Sequence, residues 1–241
     1  MSELGSPGPR GGSIERTLAG QAQLEILPVI REAWQLVHGV RAMLVVGLLL
    51  VYTAVLVASL LLGSVLGVDE TTALGGAISQ LVIMMIVYPF MAGVFLFGLR
   101  RSVGEPVRFE DQFGCYRHVL PIVAVGALQS LVTFLGLMLL IVPGIYLMIA
   151  LSLAVPLKAE RDLPVVDCLL VSMRLVNRKF FEVTVLSLTA ALLAALGVVT
   201  LIGWIWTVPW TVMILAIIYR QLAGYTRSPD APPGADGRLE I

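Results

Sequence analysis

The sequence predicts an all-α integral membrane protein, a six-helix transmembrane bundle with two amphipathic interfacial helices. Apolar residues make up 58% of the chain and charged residues only 13%, whereas about a quarter of the residues of a soluble domain are charged. Five apolar segments are long enough to cross about 30 Å of hydrocarbon, and a sixth is shorter. All sixteen Lys and Arg residues fall in alternate connections and in the terminal segments. Because short loops rich in Lys and Arg stay in the cytoplasm, both termini are predicted to be cytoplasmic.

The composition of the two ends predicts disordered cytoplasmic tails. Residues 1–23 and 224–241 are rich in Gly, Pro, Ser and charged residues, so they bury too little apolar surface to offset the entropy lost on ordering. The transmembrane domain is therefore assigned to residues 24–223.

Two segments predict amphipathic helices in the cytoplasmic interface. Over residues 28–40, and again over 164–179, apolar residues recur at helical spacing and polar residues occupy the other face. A helix of this kind lies in the plane of the membrane surface with its apolar face buried. Each begins beside a Leu-Pro pair and leads directly into a span.

The spans are predicted from the apolar runs that the basic clusters separate. The stretch from 119 to 157 needs two crossings, because a single crossing would place the five basic residues that follow it outside. Its apex is placed at Pro143 and Gly144, which combine a helix breaker with backbone freedom. The second limb is short, so it is little tilted, extended by snorkelling side chains or only a partial span. The predicted spans are about 43–66, 74–99, 119–142, 145–157, 180–201 and 204–222.

Tryptophans mark the start of the last span, at Trp204, Trp206 and Trp210. Indole rings prefer the interface between hydrocarbon and water. These three residues are therefore predicted to lie at the outer end of that span.

The opening and closing thirds of the chain share a pattern of residues and elements. In the second span Pro89 and Arg100 are separated by the same eleven positions as Pro209 and Arg220 in the sixth. The shared order of an amphipathic helix, a span out and a span back is compatible with a parallel internal repeat.

The stretch from Ile141 to Phe180 resembles a group of bacterial inner-membrane proteins, the YciC-type proteins and the membrane domain attached to some glycerophosphodiester phosphodiesterases. The likeness rests on Pro143-Gly144 after a span, the mixed turn Glu160 to Asp162 and the helical segment Ser172 to Asn177. The connection from Gly104 to Phe113 is similar to the loop before the third span of that group. The resemblance implies a six-helix bundle in a bacterial inner membrane and little about activity, because this sequence carries no phosphodiesterase domain.

Five basic residues are candidate contacts for lipid phosphates. They lie in or beside the predicted interfacial helices, where a basic side chain gains about 1 kcal/mol near an anionic surface. Bases mixed with Asp and Glu beside a membrane meet lipid head groups first, so no nucleic-acid partner is expected. Glu182 is predicted to pair with Arg178, four residues earlier. The five candidates are Arg31, Arg41, Arg174, Arg178 and Lys179.

Neutral polar residues inside the spans have two interpretations. Gln80, Gln129 and Thr133 either form interhelical hydrogen bonds that fix packing or line a substrate path. Gln80 and Thr133 fall at similar depths, at 1.5 Å per residue, and are predicted to contact each other. No charged residue lies near a span centre, which argues against a pump or ion-coupled transporter.

The sequence does not predict an enzyme. It contains no Gly-rich phosphate loop, no HExxH motif and no clustered carboxylate pair, and no Cys or His stands at ligand spacing from another. No cofactor or metal is therefore expected. Cys115 and Cys168 fall in predicted cytoplasmic segments, where they are expected to remain reduced and structural.

Two functions follow as hypotheses. The first is a non-enzymatic inner-membrane protein that engages lipids, another envelope protein or a second copy of itself, and supports envelope maintenance or assembly. The second is a transporter, channel or lipid scramblase with a path near the Pro143-Gly144 break. A continuous polar cavity that reaches Gln80, Gln129 or Thr133 favours transport, whereas a dry, packed interior favours the first hypothesis.

Overall fold

The fold is all-helical in the residues that the computed structural model describes, which are 11–21, 24–200 and 203–226. Six helical segments are long and apolar enough to cross a membrane, which confirms the prediction of a multi-pass membrane protein. A π-helical turn, Leu61–Val65, extends the third helix, and a 3-10 helix, Phe109–His118, precedes the fifth. The α-helices are α1 Ile14–Leu18, α2 Ile26–Val37, α3 Arg41–Leu60, α4 Ala73–Ser102, α5 Val119–Leu139, α6 Ile141–Ala150, α7 Ala154–Arg161, α8 Val165–Arg178, α9 Phe180–Thr200 and α10 Trp204–Leu222.

The packed core lies toward one end of the bundle. The second half of α4, the segment 150–157 and the second half of α10 supply most of its fully buried side chains, among them Phe97, Leu157 and Ile217. By contrast, α3, the first half of α4, the adjoining ends of α5 and α6, and α9 expose large apolar side chains. Soluble monomers rarely expose apolar patches of this extent. This band of exposed apolar residues is the surface expected to face lipid.

Part of the N-terminal segment is ordered, so the predicted disordered tail is wrong for residues 11–21. Ser13 caps α1, and the buried Thr17 hydroxyl donates to the Leu222 carbonyl at 2.6 Å. The Gly12 amide donates to the Arg220 carbonyl at 3.0 Å. The last carbonyls of a helix lack intrahelical partners. At the end of α10, the N-terminal segment supplies donors to two of these carbonyls. Residues 1–10 and 22–23 lie outside the described part of the chain.

At the other end, residues 224–226 are also ordered. Tyr225 is buried, and its hydroxyl donates to the Glu105 carboxylate at 3.1 Å. The Thr226 amide donates to the Glu160 carboxylate at 2.9 Å. The predicted C-terminal tail is therefore wrong for these three residues, because buried carboxylates bind them. Residues 227–241 lie outside the described ranges.

The hairpin between α5 and α6 turns at Leu140, so the predicted break at Pro143 and Gly144 is three residues too late. Leu140 alone has extended backbone, with φ −161° and ψ 147°. Pro143 is the third residue of α6, a position that tolerates proline because first-turn amides have no intrahelical acceptor. Gly144 permits the close approach of the two helices, since a Cβ there would collide with the Leu137 side chain.

The fourth membrane-length segment is longer than the predicted limb 145–157. It runs from Ile141 to Arg161 and is interrupted between α6 and α7. The Ser172 hydroxyl of α8 is inserted at the interruption, where it accepts from the Leu153 amide at 3.2 Å and donates to the Ala150 carbonyl at 2.8 Å. A buried break in a helix is stable only when its backbone groups find such partners.

The two segments predicted to be interfacial are helical, as α2 and α8, and both pack along other helices. Asn177 of α8 accepts from the Tyr146 hydroxyl of α6 at 2.9 Å, while Ser172 reaches the α6–α7 break, so α8 runs antiparallel beside that segment. Its buried face includes Cys168, Leu169, Ser172, Leu175 and Val176. The other helix, α2, buries Val29, Ala33 and Val37.

The loop between α3 and α4 is built by local hydrogen bonds. The Asp69 carboxylate accepts from the Thr71 hydroxyl at 2.7 Å and from the Thr71 amide at 2.9 Å. These two bonds lower the pKa of Asp69 because they favour its charged form. Thr72 then caps α4 by accepting from the Gly75 amide at 3.0 Å.

Candidate lipid-contact surface

The five predicted lipid contacts lie in two regions of the fold. Arg174, Arg178 and Lys179 belong to α8 and its C-terminus, whereas Arg31 and Arg41 belong to α2 and the start of α3. The side chains of Arg31, Arg174 and Arg178 are exposed. Arg41 and Lys179 are half-buried. The structure therefore does not bring all five residues into one site.

One face of α8 is exposed along most of the helix. Val166 and Leu170 expose 58% and 45% of their surface, and Arg174 and Arg178 continue the line at spacings of four residues, which share a helix face. Phe181, 73% exposed, follows at the start of α9. We refer to these five residues as the α8 stripe. Its mixture of apolar side chains and guanidinium groups suits the boundary between acyl chains and head groups.

The two arginines of the α8 stripe have no carboxylate partner within the described residues. The prediction that Glu182 pairs with Arg178 is wrong, because Lys179 Nζ lies 3.3 Å from Glu182 Oε1. A spacing of three residues brings side chains together on a helix as well as a spacing of four does. Both guanidinium groups therefore keep their donors available for phosphate oxygens.

Arg41 lies against a cluster of tryptophans. Its guanidinium carbon is 3.4 Å from the centroid of the Trp206 ring, a cation–π arrangement. Trp206 stacks on Trp34, with centroids 6.1 Å apart and an interplanar angle of 19°. Trp34 also meets Trp210 edge-on at 5.0 Å. We call Trp34, Trp206 and Trp210 the tryptophan cluster.

The tryptophan cluster involves the first part of α10. Trp206 lies in the first turn of α10, where its ring contacts Arg41 of α3, while at the other end of α10 Arg220 donates to the Ser102 carbonyl at the end of α4. That Trp204, Trp206 and Trp210 lie at the outer end of this span stays a prediction. Tryptophan prefers both membrane interfaces, so its presence indicates an interface without telling which one.

A buried polar network joins α7 to the end of α10. The Glu160 carboxylate accepts from Arg161 Nε at 2.9 Å, from the Tyr219 hydroxyl at 2.5 Å and from the Thr226 hydroxyl at 2.8 Å. Arg161 also donates to the Ala223 carbonyl at 2.5 Å. The side chains of Glu160 and Arg161 are 0% and 9% exposed. Both carboxylate oxygens are satisfied by protein donors, so this network holds helices together.

Arg220 forms a second internal ion pair, with Glu32 of α2. Its Nη2 lies 2.7 and 2.9 Å from the two carboxylate oxygens, so one nitrogen donates to both, while Nη1 donates to the Ser102 carbonyl. The predicted counterpart Arg100 also pairs with an acid, Asp111, at 3.2 Å. The two arginines that occupy corresponding positions in the sequence, Arg100 and Arg220, thus each lie in the last turn of a helix and each form an ion pair.

The predicted path residues differ in burial. Gln80 is exposed, whereas Gln129 and Thr133 are half-buried. Tyr88 joins α4 to α5, since its hydroxyl lies 2.6 Å from Ser130 Oγ and 3.1 Å from the Gly126 carbonyl. No hydrogen bond between Gln80 and Thr133 occurs among the described residues, and their contact stays a prediction.

Gln80, Gln129 and Thr133 line neither of two pockets found in the described part of the chain. One, of about 20 Å³, lies between Cys115, His118 and Lys158 and has room for a single water molecule. The other, of about 360 Å³, is an open depression on α2 beside Arg31 and Glu32.

Both cysteines are buried, and neither forms a disulfide bond. Burial raises the pKa of the Cys168 thiol to about 12, because a thiolate is poorly solvated away from water. The thiol is therefore inert at neutral pH.

Sequence reasoning missed Gln112, which lies on the 3-10 helix and is fully buried. Its side-chain amide donates to the Met43 carbonyl at 3.0 Å. Gly47 and Gly93 lie against it, and a Cβ on Gly93 would collide with the Gln112 carbonyl. Only the pairing of these distant positions reveals the contact, so a single sequence carries no signal for it.

Comparison of the chain with protein-family models, with curated proteins and with solved structures found no match.

Proposed function

We propose that this chain is a non-enzymatic protein of the bacterial inner membrane that binds anionic lipid head groups and supports envelope maintenance or assembly. The observation that carries the proposal is the α8 stripe, in which Arg174 and Arg178, without a carboxylate partner among the described residues, follow exposed apolar residues. A guanidinium group binds a phosphate through two parallel hydrogen bonds. In this proposal both termini and the basic segments face the cytoplasm, where the anionic leaflet attracts them.

The surroundings of the stripe support a membrane partner. Exposed apolar residues of α9, including Phe181 and Leu188, continue from its basic end. An aqueous protein partner would have to cover this apolar surface, whereas lipid covers it without further cost. The resemblance of Ile141 to Phe180 to YciC-type proteins supports the same location.

Lipid selectivity tests the proposal. The full chain, purified in a neutral detergent, is titrated with phosphatidylglycerol or phosphatidylcholine, and bound lipid is counted by native mass spectrometry. We expect preferential retention of phosphatidylglycerol. Its affinity should fall about 30-fold in the double variant Arg174→Gln and Arg178→Gln, since each contact contributes about 1 kcal/mol. Arg108→Gln is the matched control, because Arg108 is exposed and lies 3.6 Å from Glu110. Equal retention of the two lipids, or an equal loss in the control, contradicts the proposal.

A further inference from the structure

The turn between α2 and α3 gathers positive charge. Gly39 has a φ of +92°, a conformation that glycine adopts at little cost, and the chain reverses here between Trp34 and Arg41. Arg101, near the end of α4, reaches the same turn, where its Nη2 lies 3.4 Å from the His38 carbonyl. Arg41 and Arg101 therefore flank one short turn.

Neither guanidinium group is neutralised. Within the described residues, Arg41 and Arg101 form no ion pair. Arg101 Nε is shielded from solvent and has no hydrogen-bond partner. A buried donor without an acceptor is unfavourable, and two cations on one turn repel each other. Both penalties are relieved by a bound anion.

The tryptophan cluster holds one of the two cations in a fixed orientation. Stacking of Arg41 on Trp206 at 3.4 Å uses the face of the guanidinium plane and leaves its edge donors available. An edge fixed in this way costs less entropy on binding an oxyanion than a freely rotating side chain does.

We infer that Arg41 and Arg101 form a phosphate-binding site at the α2–α3 turn, whose ligand is the phosphate of an anionic phospholipid head group. This inference deepens the proposed function and rests on it, but it concerns a different surface from the α8 stripe. Free inorganic phosphate offers the same chemistry. The exposed edges of Trp34 and Trp206 favour the lipid, because indole rings prefer the depth of the glycerol and carbonyl groups.

The chain carries its own reporter for this site. Its four tryptophans are Trp34, Trp204, Trp206 and Trp210; three form the cluster and the other opens α10. Intrinsic fluorescence of the full chain in neutral detergent is followed during titration with dihexanoyl phosphatidylglycerol, dihexanoyl phosphatidylcholine or inorganic phosphate. We expect a saturable change with the phosphatidylglycerol alone. A response to inorganic phosphate at equal concentration overturns the lipid source, and a response to the zwitterionic lipid of equal size overturns the anionic ligand.

Two single variants locate the ligand. Arg101→Gln keeps the stack of Arg41 on Trp206, so the fluorescence reporter remains. We expect this variant to bind dihexanoyl phosphatidylglycerol about tenfold more weakly, the equivalent of about 1.4 kcal/mol. Arg41→Gln should weaken binding at least as much. Arg108→Gln is the matched control, because Arg108 is exposed, lies 3.6 Å from Glu110 and belongs to neither proposed site; it should respond like the parent chain. Unchanged affinity in Arg101→Gln, or loss of the response in the control, contradicts the site.

The two experiments distinguish failure of the turn site alone from failure of the proposed function. If the parent chain retains phosphatidylglycerol in native mass spectrometry but its tryptophans do not respond, the turn site is wrong and the proposed function stands. If the parent chain shows no preference for phosphatidylglycerol, the proposed function fails, and the turn site fails with it.

Discussion

Tyr219 of α10 donates a 2.5 Å hydrogen bond to the Glu160 carboxylate of α7, across 59 positions of sequence. Both side chains are fully buried. Because water does not reach the carboxylate, protein donors alone satisfy it, and the bond fixes the position of α10 against the interrupted fourth segment. This contact carries the first prediction.

Tyr219→Phe should destabilise the fold. It removes a hydrogen bond to a buried charged group while keeping the ring, which packs edge-on against Phe95 at 5.1 Å. The loss should be about 1.5 to 3 kcal/mol, seen as a lower midpoint of thermal unfolding in detergent. Tyr52→Phe alters an exposed tyrosine of α3 and should leave the midpoint unchanged. Equal midpoints for the two variants would contradict this role of Tyr219.

Gly93→Ala should also destabilise the fold, because its Cβ would collide with the Gln112 backbone carbonyl. Overpacking costs about 1 to 3 kcal/mol, and a backbone neighbour yields less readily than a side chain. Gly114→Ala, on the 3-10 helix that carries Gln112, is the control, since no atom lies within 4 Å of its added Cβ. The measurement is again the thermal midpoint. A stable Gly93→Ala variant would show that the 3-10 helix does not dock between α3 and α4 as described.

Cys168 should resist thiol reagents until the protein unfolds. Its pKa of about 12 leaves almost no thiolate at pH 8, whereas an unfolded cysteine has a pKa of about 8.5. In the Cys115→Ser background, maleimide incorporation should be slow in the native state and rapid in denaturant. Because the folded pKa is the higher one, stability should fall as pH rises from about 8.5 toward 12, and Cys168→Ala should remove that contribution. Rapid native labelling would refute the buried position.

The tip of the α5–α6 hairpin should lie in hydrocarbon. Five consecutive residues, Met138 to Val142, expose between 65% and 78% of their surface, and no polar side chain occurs from Phe134 to Ile145. The backbone of Leu140 is satisfied, since its amide donates to Gly136 and its carbonyl accepts from Gly144. These features suit a dry environment.

A nitroxide on Leu140→Cys tests the tip in liposomes. Its relaxation should respond to oxygen and little to a water-soluble nickel chelate, and the same label on Glu70→Cys should show the reverse. A water-filled path near the break, which the transport hypothesis requires, would make the Leu140 label as accessible to nickel as the Glu70 label. That result would contradict the lipid-embedded tip.

The features predicted correctly from the sequence depend on local pattern. Long apolar runs and helical periodicity located the membrane-length helices, and the faces that α2 and α8 bury follow their apolar spacing, with Val29 and Leu175 as examples. The hairpin was expected because basic residues follow the apolar stretch. Its exact turn was not, because Pro143 fits inside the first turn of a helix as well as at a break.

The features that were missed depend on contacts between distant residues. In the sequence Glu160 and Arg161 belong to a turn of mixed charge, and only their contacts with Tyr219 and with the residues after α10 reveal that they are buried. For the candidate site, the basic residues of α8 were predicted, but the role of Arg101 was not, since its proximity to the α2–α3 turn depends on how α4 packs.

The sidedness of the chain is the central claim, and cysteine labelling in intact bacterial cells tests it most directly. Glu70→Cys lies in the exposed α3–α4 loop, and Arg108→Cys lies in the exposed connection before the 3-10 helix. With a membrane-impermeant maleimide that reaches the periplasm, we expect Glu70→Cys to be labelled and Arg108→Cys to be labelled only after the inner membrane is opened. Labelling of Arg108→Cys in intact cells would place a basic segment outside and contradict the account.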